Sequence, residues 1–281
     1  MPLAKMRGPQ KAIPGGAGKA PLLLLFLAAS CAHYSGVVTD RHNEADRLNS
    51  RGNELYFLGN YSGAAKFYDR ALALATEIDD RAGIAEGQNN LGQLYVEARD
   101  LPAAEEKFLK ASLINGEIKN KAGLAANRDN LGNVYRLQGR HEAAASEFKK
   151  ALELEQETGD KNGSAVVTNN MGLLAFDTGE NAKARELFKK ALASAKDLKR
   201  HRLAAACLQN LGSLDEREGD IDGAIANLNE SIAADRLVEY SPGIAKGLEG
   251  LGRLYEKKGN TALSQDSLKR AQAIRLGING H

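Results

Sequence analysis

The chain has 281 residues, with 38 Lys and Arg against 36 Asp and Glu, five His, two Cys and no Trp. A net charge of +2 excludes the broad basic excess expected of a nucleic-acid binder, and two cysteines exclude both a disulfide framework and a four-thiolate metal site. Hydrophobic residues at 43% with aromatics at only 5% favour an all-helical packed body over sheets.

Residues 1–30 carry Lys5, Arg7, Lys11 and Lys19 and no acidic residue, then an apolar run from Leu22 to Ala29, then Ser30 and Cys31. A basic lead, a short apolar centre and small closing residues read as a secretory signal that is removed. Eight apolar residues span about 12 Å as helix, short of the ~30 Å bilayer core, so no membrane-spanning anchor is expected. Removing the signal takes four positive charges with it and turns +2 into −2.

The sequence Leu27-Ala28-Ala29-Ser30-Cys31 resembles a bacterial lipoprotein signal, although Ala28 stands where that family usually has Leu. The resemblance implies lipid on Cys31 and, with Ala32 rather than Asp following, an outer-membrane anchor facing the periplasm of a bacterial envelope. The alternative is ordinary secretion, with cleavage nearby and Cys31 left as a free thiol. Residues 31–44 then form a tether that reaches at most about 45 Å if extended.

From residue 45 onward a forty-residue period governs the sequence. Gly recurs at 52, 92, 132, 172, 212 and 252. Twelve residues further on stand Ala64, Ala104, Ala144, Ala184, Ala224 and Ser264; sixteen further on stand Tyr68, Phe108, Phe148, Phe188, Leu228 and Leu268. Small residues let two helices approach, and the aromatic ring fills the space beside them. Turns are expected at Gly59-Asn60, Gly139-Arg140, Gly179-Glu180, Gly219-Asp220 and Gly259-Asn260, and breaks between units at Gly83, Gly123, Gly163 and Ser241-Pro242-Gly243.

This small–aromatic–small pattern resembles the tetratricopeptide repeat, in the long-repeat form found in adaptors that bind extended peptides. The resemblance implies an all-α, right-handed superhelical solenoid of six helical hairpins over residues 45–281, with units at 45–84, 85–124, 125–164, 165–204, 205–244 and 245–281. Each hairpin leaves an apolar face that only its neighbour buries. Ala175 and Asp215 replace the usual Tyr, and a locally paired carboxylate is expected at Asp215. The sixth unit, with Gly250, Thr261 and Ser264, reads as a more polar cap.

No catalytic constellation emerges. The stretch Gly15 to Ala20 lacks the Ser or Thr and the spacing of a phosphate loop, Asp220 to Gly223 has its Gly too early for a calcium loop, and the five His are scattered. Cys207 reads as a small core residue. No metal, cofactor or enzymatic activity is expected.

The informative feature is a ladder of amides. Just before the marker glycines lie Asn49, Asn89-Asn90, Asp129-Asn130, Asn169-Asn170 and Gln209-Asn210, and just after them Asn53, Gln93 and Asn133. In the family this face of the first helix lines a concave groove. An amide both donates and accepts, which suits the backbone of an extended peptide, so these residues are the candidate peptide-binding groove. The competing role is structural, with each Asn fixing the stacking of neighbouring units. Tyr56, Phe57, Val96, Leu137, Leu173 and Phe176 are expected to supply apolar pockets between the rungs. Asp46, Glu86, Ala126 and Asn130 stand where chaperone-tail binders hold a terminal carboxylate with basic residues, which directs the reading to an internal segment of the partner. The expected function is an exported scaffold that binds a protein or peptide of the envelope, with a pilotin-like assembly factor for a pilus or secretion pore and a small-ligand sensor as alternatives.

Overall fold

The computed structural model describes residues 21–277, with side chains from residue 38 onward. The signal reading over residues 1–20, and the Cys31 side chain on which lipidation rests, lie outside the described residues. The chain divides into two compact units, Met1–Arg41 and His42–His281. Helix α1 (Pro21–Phe57) is continuous, so residues 31–44, read from sequence as a tether, are helical. Fourteen residues of helix cover about 21 Å rather than the ~45 Å of an extended chain. Among the described residues no helix is long and apolar enough to cross a membrane.

The second unit is an array of antiparallel helix pairs. The first helices are the end of α1, then α3 (Arg81–Glu97), α5 (Lys121–Leu137), α7 (Lys161–Asp177), α9 (His201–Glu218) and α11 (Ser241–Lys257). The second helices are α2 (Tyr61–Glu77), α4 (Leu101–Glu117), α6 (His141–Thr158), α8 (Asn181–Asp197), α10 (Ile221–Arg236) and α12 (Thr261–Arg275). Among the described residues there is no strand. The all-α repeat solenoid read from the period is the observed fold.

The reversals come every twenty residues, and each has a residue with positive φ. Where the sequence offers Gly59, Gly139, Gly159, Gly179, Gly219 and Gly259 the turn is free of strain. Arg99, Asp79, Lys119, Lys199 and Glu239 adopt the same conformation, with φ of 52–62°, at a cost of about 1 kcal/mol each. Paired backbone bonds closing the preceding helix offset that cost, as where Asp80 N–H donates to the Ala75 carbonyl at 2.8 Å. The next residue then caps the new helix: Asn60, Asp80, Asp100, Asn120, Asp160, Asp220 and Asn260 all accept from a backbone N–H in its first turn. These caps correct the expected breaks. Gly83, Gly123, Gly163 and Gly243 lie inside the first turn of their helices, and the chain reverses about four residues earlier than the unit bounds taken from sequence.

The marker glycines work by contact. A Cβ added at Gly52, Gly92, Gly132 or Gly172 would come within 2.5–2.6 Å of the Tyr68, Phe108, Phe148 or Phe188 ring. Each ring is essentially fully buried between the two helices of its own hairpin and the next unit. In the fifth and sixth units Leu228 and Leu268 replace the ring.

Curvature follows from which helices meet. The backbones of α3 and α5, α5 and α7, α7 and α9, and α9 and α11 come within 8 Å of each other, whereas among the described residues no two second helices approach that closely. The first helices therefore line the inside of the curve. The curve also returns on itself. The Phe57 ring, at the end of α1, stands 5.0 Å from the Tyr240 ring in the turn before α11.

Candidate functional site

The inner face is built on an amide network that runs from helix to helix. The Asn89 carbonyl oxygen accepts from Asn130 Nδ2 at 2.8 Å and from Asn127 Nδ2 at 2.9 Å. Asn127 in turn accepts from Asn115 at 2.7 Å, and Asn115 from Asn120 at 2.9 Å, while Asn120 caps α5 through Gly123 N–H. One repeat further on, Asn170 Nδ2 donates to both Asp129 carboxylate oxygens at 3.0 and 2.9 Å. Asn210 then donates to Asn169 at 2.9 Å. A residue just before one marker glycine thus bonds to its counterpart in the next unit, always between two first helices.

The candidate residues fall into two groups. Asn89, Asn130, Asn169, Asn170 and Asn210 are joined by these bonds, and the bonds fix the spacing of the helices beneath the groove. Asn53 accepts from the Tyr68 hydroxyl at 2.7 Å, and Asn133 accepts from the Arg136 guanidinium at 2.9 Å. Gln93 and Gln209 are part-exposed. The rung that would join Asn49 to Asn90 is open. Asn49 Oδ1 and Asn90 Nδ2 have no close hydrogen-bond partner although the two residues are only 4% and 8% exposed.

Beside that open rung, α1, α3 and α5 enclose a hollow of about 310 Å³ lined by His42, Asp46, Asp80, Glu86, Asn89 and Asn127, among others. Desolvation, followed by the neighbouring Asp46 charge, pushes the Glu86 carboxyl above its usual range. His42 Nδ1 lies 2.8 Å from the Asp80 carboxylate.

Several expected pocket residues are engaged in packing. Tyr56 lies 5.3 Å from the Tyr61 ring, and its hydroxyl donates to Glu97 at 3.2 Å. The Arg217 guanidinium covers the Phe176 ring at 3.2 Å. Arg202 lies over both Phe57, at 4.5 Å, and Tyr240, at 4.1 Å. Val96 and Leu173 pack against hydrophobic clusters of neighbouring hairpins. Asp215 is paired as expected: it lies 2.7 Å from Arg185 and accepts from Asn227 at 2.6 Å. Cys207 is fully buried, and burial pushes its thiol up to about 12, which removes it from nucleophilic chemistry.

The network members Asn115, Asn120 and Asn127 and the clasp at Arg202 were not singled out by sequence reasoning. A signal for Asn127 and Asn115 existed in the register. Asn127 stands where other units have Gly87, Val167, Cys207 and Gly247, and Asn115 where others have Ala75 and Ala195 or the carboxyls Glu155 and Asp235. Two polar replacements at adjoining buried positions of neighbouring helices imply that they bond to each other.

A tetratricopeptide repeat family model matches residues 44–114, 123–197, 163–236 and 204–276. No curated protein matches the sequence. Among solved structures the chain is similar to BtubC (BKLC) from P. vanneervenii, at 21% identity and a TM-score of 0.57, over 80% of this chain and 91% of that one. It is also similar to a Rap protein complexed with competence and sporulation factor, at 14% identity and a TM-score of 0.64, over 84% and 76% of the two chains. A third similar structure is the Rap conjugation gene regulator of plasmid pLS20 in complex with the Phr* peptide, at 22% identity and a TM-score of 0.52, over 82% and 73%. At these identities the likeness concerns the fold. Four matched stretches that together span most of the chain settle its membership, and it belongs to the tetratricopeptide repeat family.

Proposed function

We propose that this protein is an exported, non-enzymatic interaction scaffold whose concave face holds an extended segment of an envelope partner. The observation that carries this reading is the inner row of part-exposed or exposed side chains Asn53, Gln93, Asn133, Leu173 and Ser213. They stand on helices whose spacing is fixed from beneath by buried amide bonds, so donors, acceptors and apolar surface recur along one rigid wall. Two similar folds were solved with a bound factor or peptide, which supports the same use of this surface. Lipid on Cys31, and with it an outer-membrane location facing the periplasm, forms the localisation part of the proposal.

The test places a photo-crosslinking residue at Gln93 or Ser213 in the full chain expressed in a bacterial envelope, with exposed Lys110 on a second helix as the control position. Crosslinks to one discrete partner from Gln93 and Ser213, and none from Lys110, are expected. Crosslinks from Lys110 alone, or from no position, overturn the groove reading. Radiolabelled fatty acid entering the wild type and not Cys31→Ala is expected for the anchor; equal labelling of both, or of neither, removes it.

A further inference from the structure

Equivalent positions on the six first helices form rows along the inner wall, and two of these rows carry charge in an ordered way. Asp46, Glu86, Ala126, Val166, Ala206 and Lys246 occupy one row. The other, seven residues along each helix, reads Asn53, Gln93, Asn133, Leu173, Ser213 and Arg253. The first row is acidic at the first two units, neutral through the middle and basic at the sixth; the second is neutral up to Arg253 at the sixth.

These charges differ from those on the outside of the array. There, ion pairs link successive second helices or adjoining turns, as in Lys121–Glu157 at 3.0 Å, Lys196–Glu230 at 3.4 Å and Arg140–Glu105 at 3.1 Å. Among the described residues Glu86, Lys246 and Arg253 take part in no ion pair, and Asp46 meets only His42, at 3.6 Å. At the acidic end Asp46 and Asp80 act on Glu86 as like charges, so a cation entering there relieves repulsion as well as gaining attraction. The hollow of about 310 Å³ lies at that end. So does the open rung, with an uncommitted acceptor on Asn49, while the Asn90 and Asn49 amides act on Glu86 as donors.

We infer that the groove selects an extended segment of ordered charge, its ammonium or guanidinium group held by Asp46, Asp80 and Glu86 and its carboxylates by Lys246 and Arg253. The cationic group is a Lys or Arg side chain or a free peptide N-terminus, since all three present the same hydrogen-bond donors. The neutral middle units, with Ala126, Val166, Leu173 and Ala206, contact the stem of the segment and leave its sequence open. This rests on the groove reading above and assigns the class of peptide that the groove takes.

The test is selection of random 15-residue peptides, displayed on phage, against the immobilised full chain and against its Glu86→Lys/Lys246→Glu double variant. Peptides with Lys or Arg in one half and Asp or Glu in the other, always in the same order along the chain, are expected to be enriched at least about tenfold over the reverse order. The double variant leaves a net −1 at the first end and no net charge at the other, and is expected to lose most of the preference for order. Glu86→Gln, which keeps shape and removes one charge, is expected to lose only the preference for the cation and serves if the double variant fails to fold. Free N-termini are separated from side chains by acetylating the selected peptides. Enrichment without charge order, or undiminished enrichment of that order by the double variant, overturns this inference and leaves the groove reading standing. No enrichment over bare support overturns the groove reading itself.

Discussion

Phe57 and Tyr240, from opposite ends of the repeat array, stand with ring centroids 5.0 Å apart and share the Arg202 guanidinium, which lies over both. The contact is a clasp. It joins the first hairpin to the turn between α10 and α11 across the curve that the first helices define.

Arg202→Ala removes the shared cation, at a cost of about 0.5–1 kcal/mol at an exposed site. The expected outcome is a larger radius of gyration in small-angle scattering with helical circular dichroism unchanged. An unaltered scattering curve would show that stacking alone sets the curvature.

Asn89→Ala strips the acceptor from two donors at once, Asn127 and Asn130. Leaving them unpaired is expected to cost roughly 2–4 kcal/mol, which lowers the thermal midpoint by about 2–4 °C per kcal/mol. Gln93→Ala, one turn along the same helix, is expected to change stability by no more than about 0.5 kcal/mol. Differential scanning calorimetry of the two variants separates the rung from the exposed row.

Gly132→Ala forces a Cβ to 2.6 Å from the Phe148 ring, and overpacking of that kind costs about 1–3 kcal/mol. At Gly212 the same change meets Leu228 at 3.4 Å and a backbone oxygen at 3.3 Å, so a smaller loss is expected. Paired denaturation curves test the order.

Three buried carboxyls make stability depend on pH. Desolvation, reinforced by the Asp160 and Asp129 charges, raises Glu155 to about 7, and desolvation raises Asp129 and Asp235 to about 6. A carboxyl whose pKa is higher folded than unfolded binds its proton more tightly in the native state. Stability is therefore greatest below the unfolded value near 4, falls as pH rises through the folded values, and levels off above about 7. Glu155→Gln is expected to flatten that decline and to raise the midpoint at pH 8 by a few degrees, with little effect at pH 4.5. A midpoint that falls at both pH values would place Glu155 among the stabilising contacts.

The period alone was enough to read the architecture, because packing at the marker glycines depends on residue size, which repeats in the sequence. Gly132 against Phe148 recurs as Gly172 against Phe188, and spacing reveals such a pair without coordinates. The turns at Lys119 and Lys199 were less legible. Any residue can adopt a left-handed conformation when paired backbone bonds hold it, and no letter marks the position. The ladder was legible as a row of amides, but its partners were not. Whether Asn130 reaches outward to a guest or sideways to Asn89 depends on the distance between two helices, and a single helix does not encode that distance. The clasp was least legible of all: Tyr240 replaces the capping Asp or Asn of other units, yet it meets Phe57 only because the whole array bends.

That bend makes the clasp a counting device. Each unit adds a fixed rotation, so the two ends meet for one copy number and miss for any other. Duplicating or deleting one forty-residue block would preserve the inner bonds and the buried rings of the remaining units, yet carry Phe57 away from Tyr240. Modules of this array are interchangeable, and their tally is not.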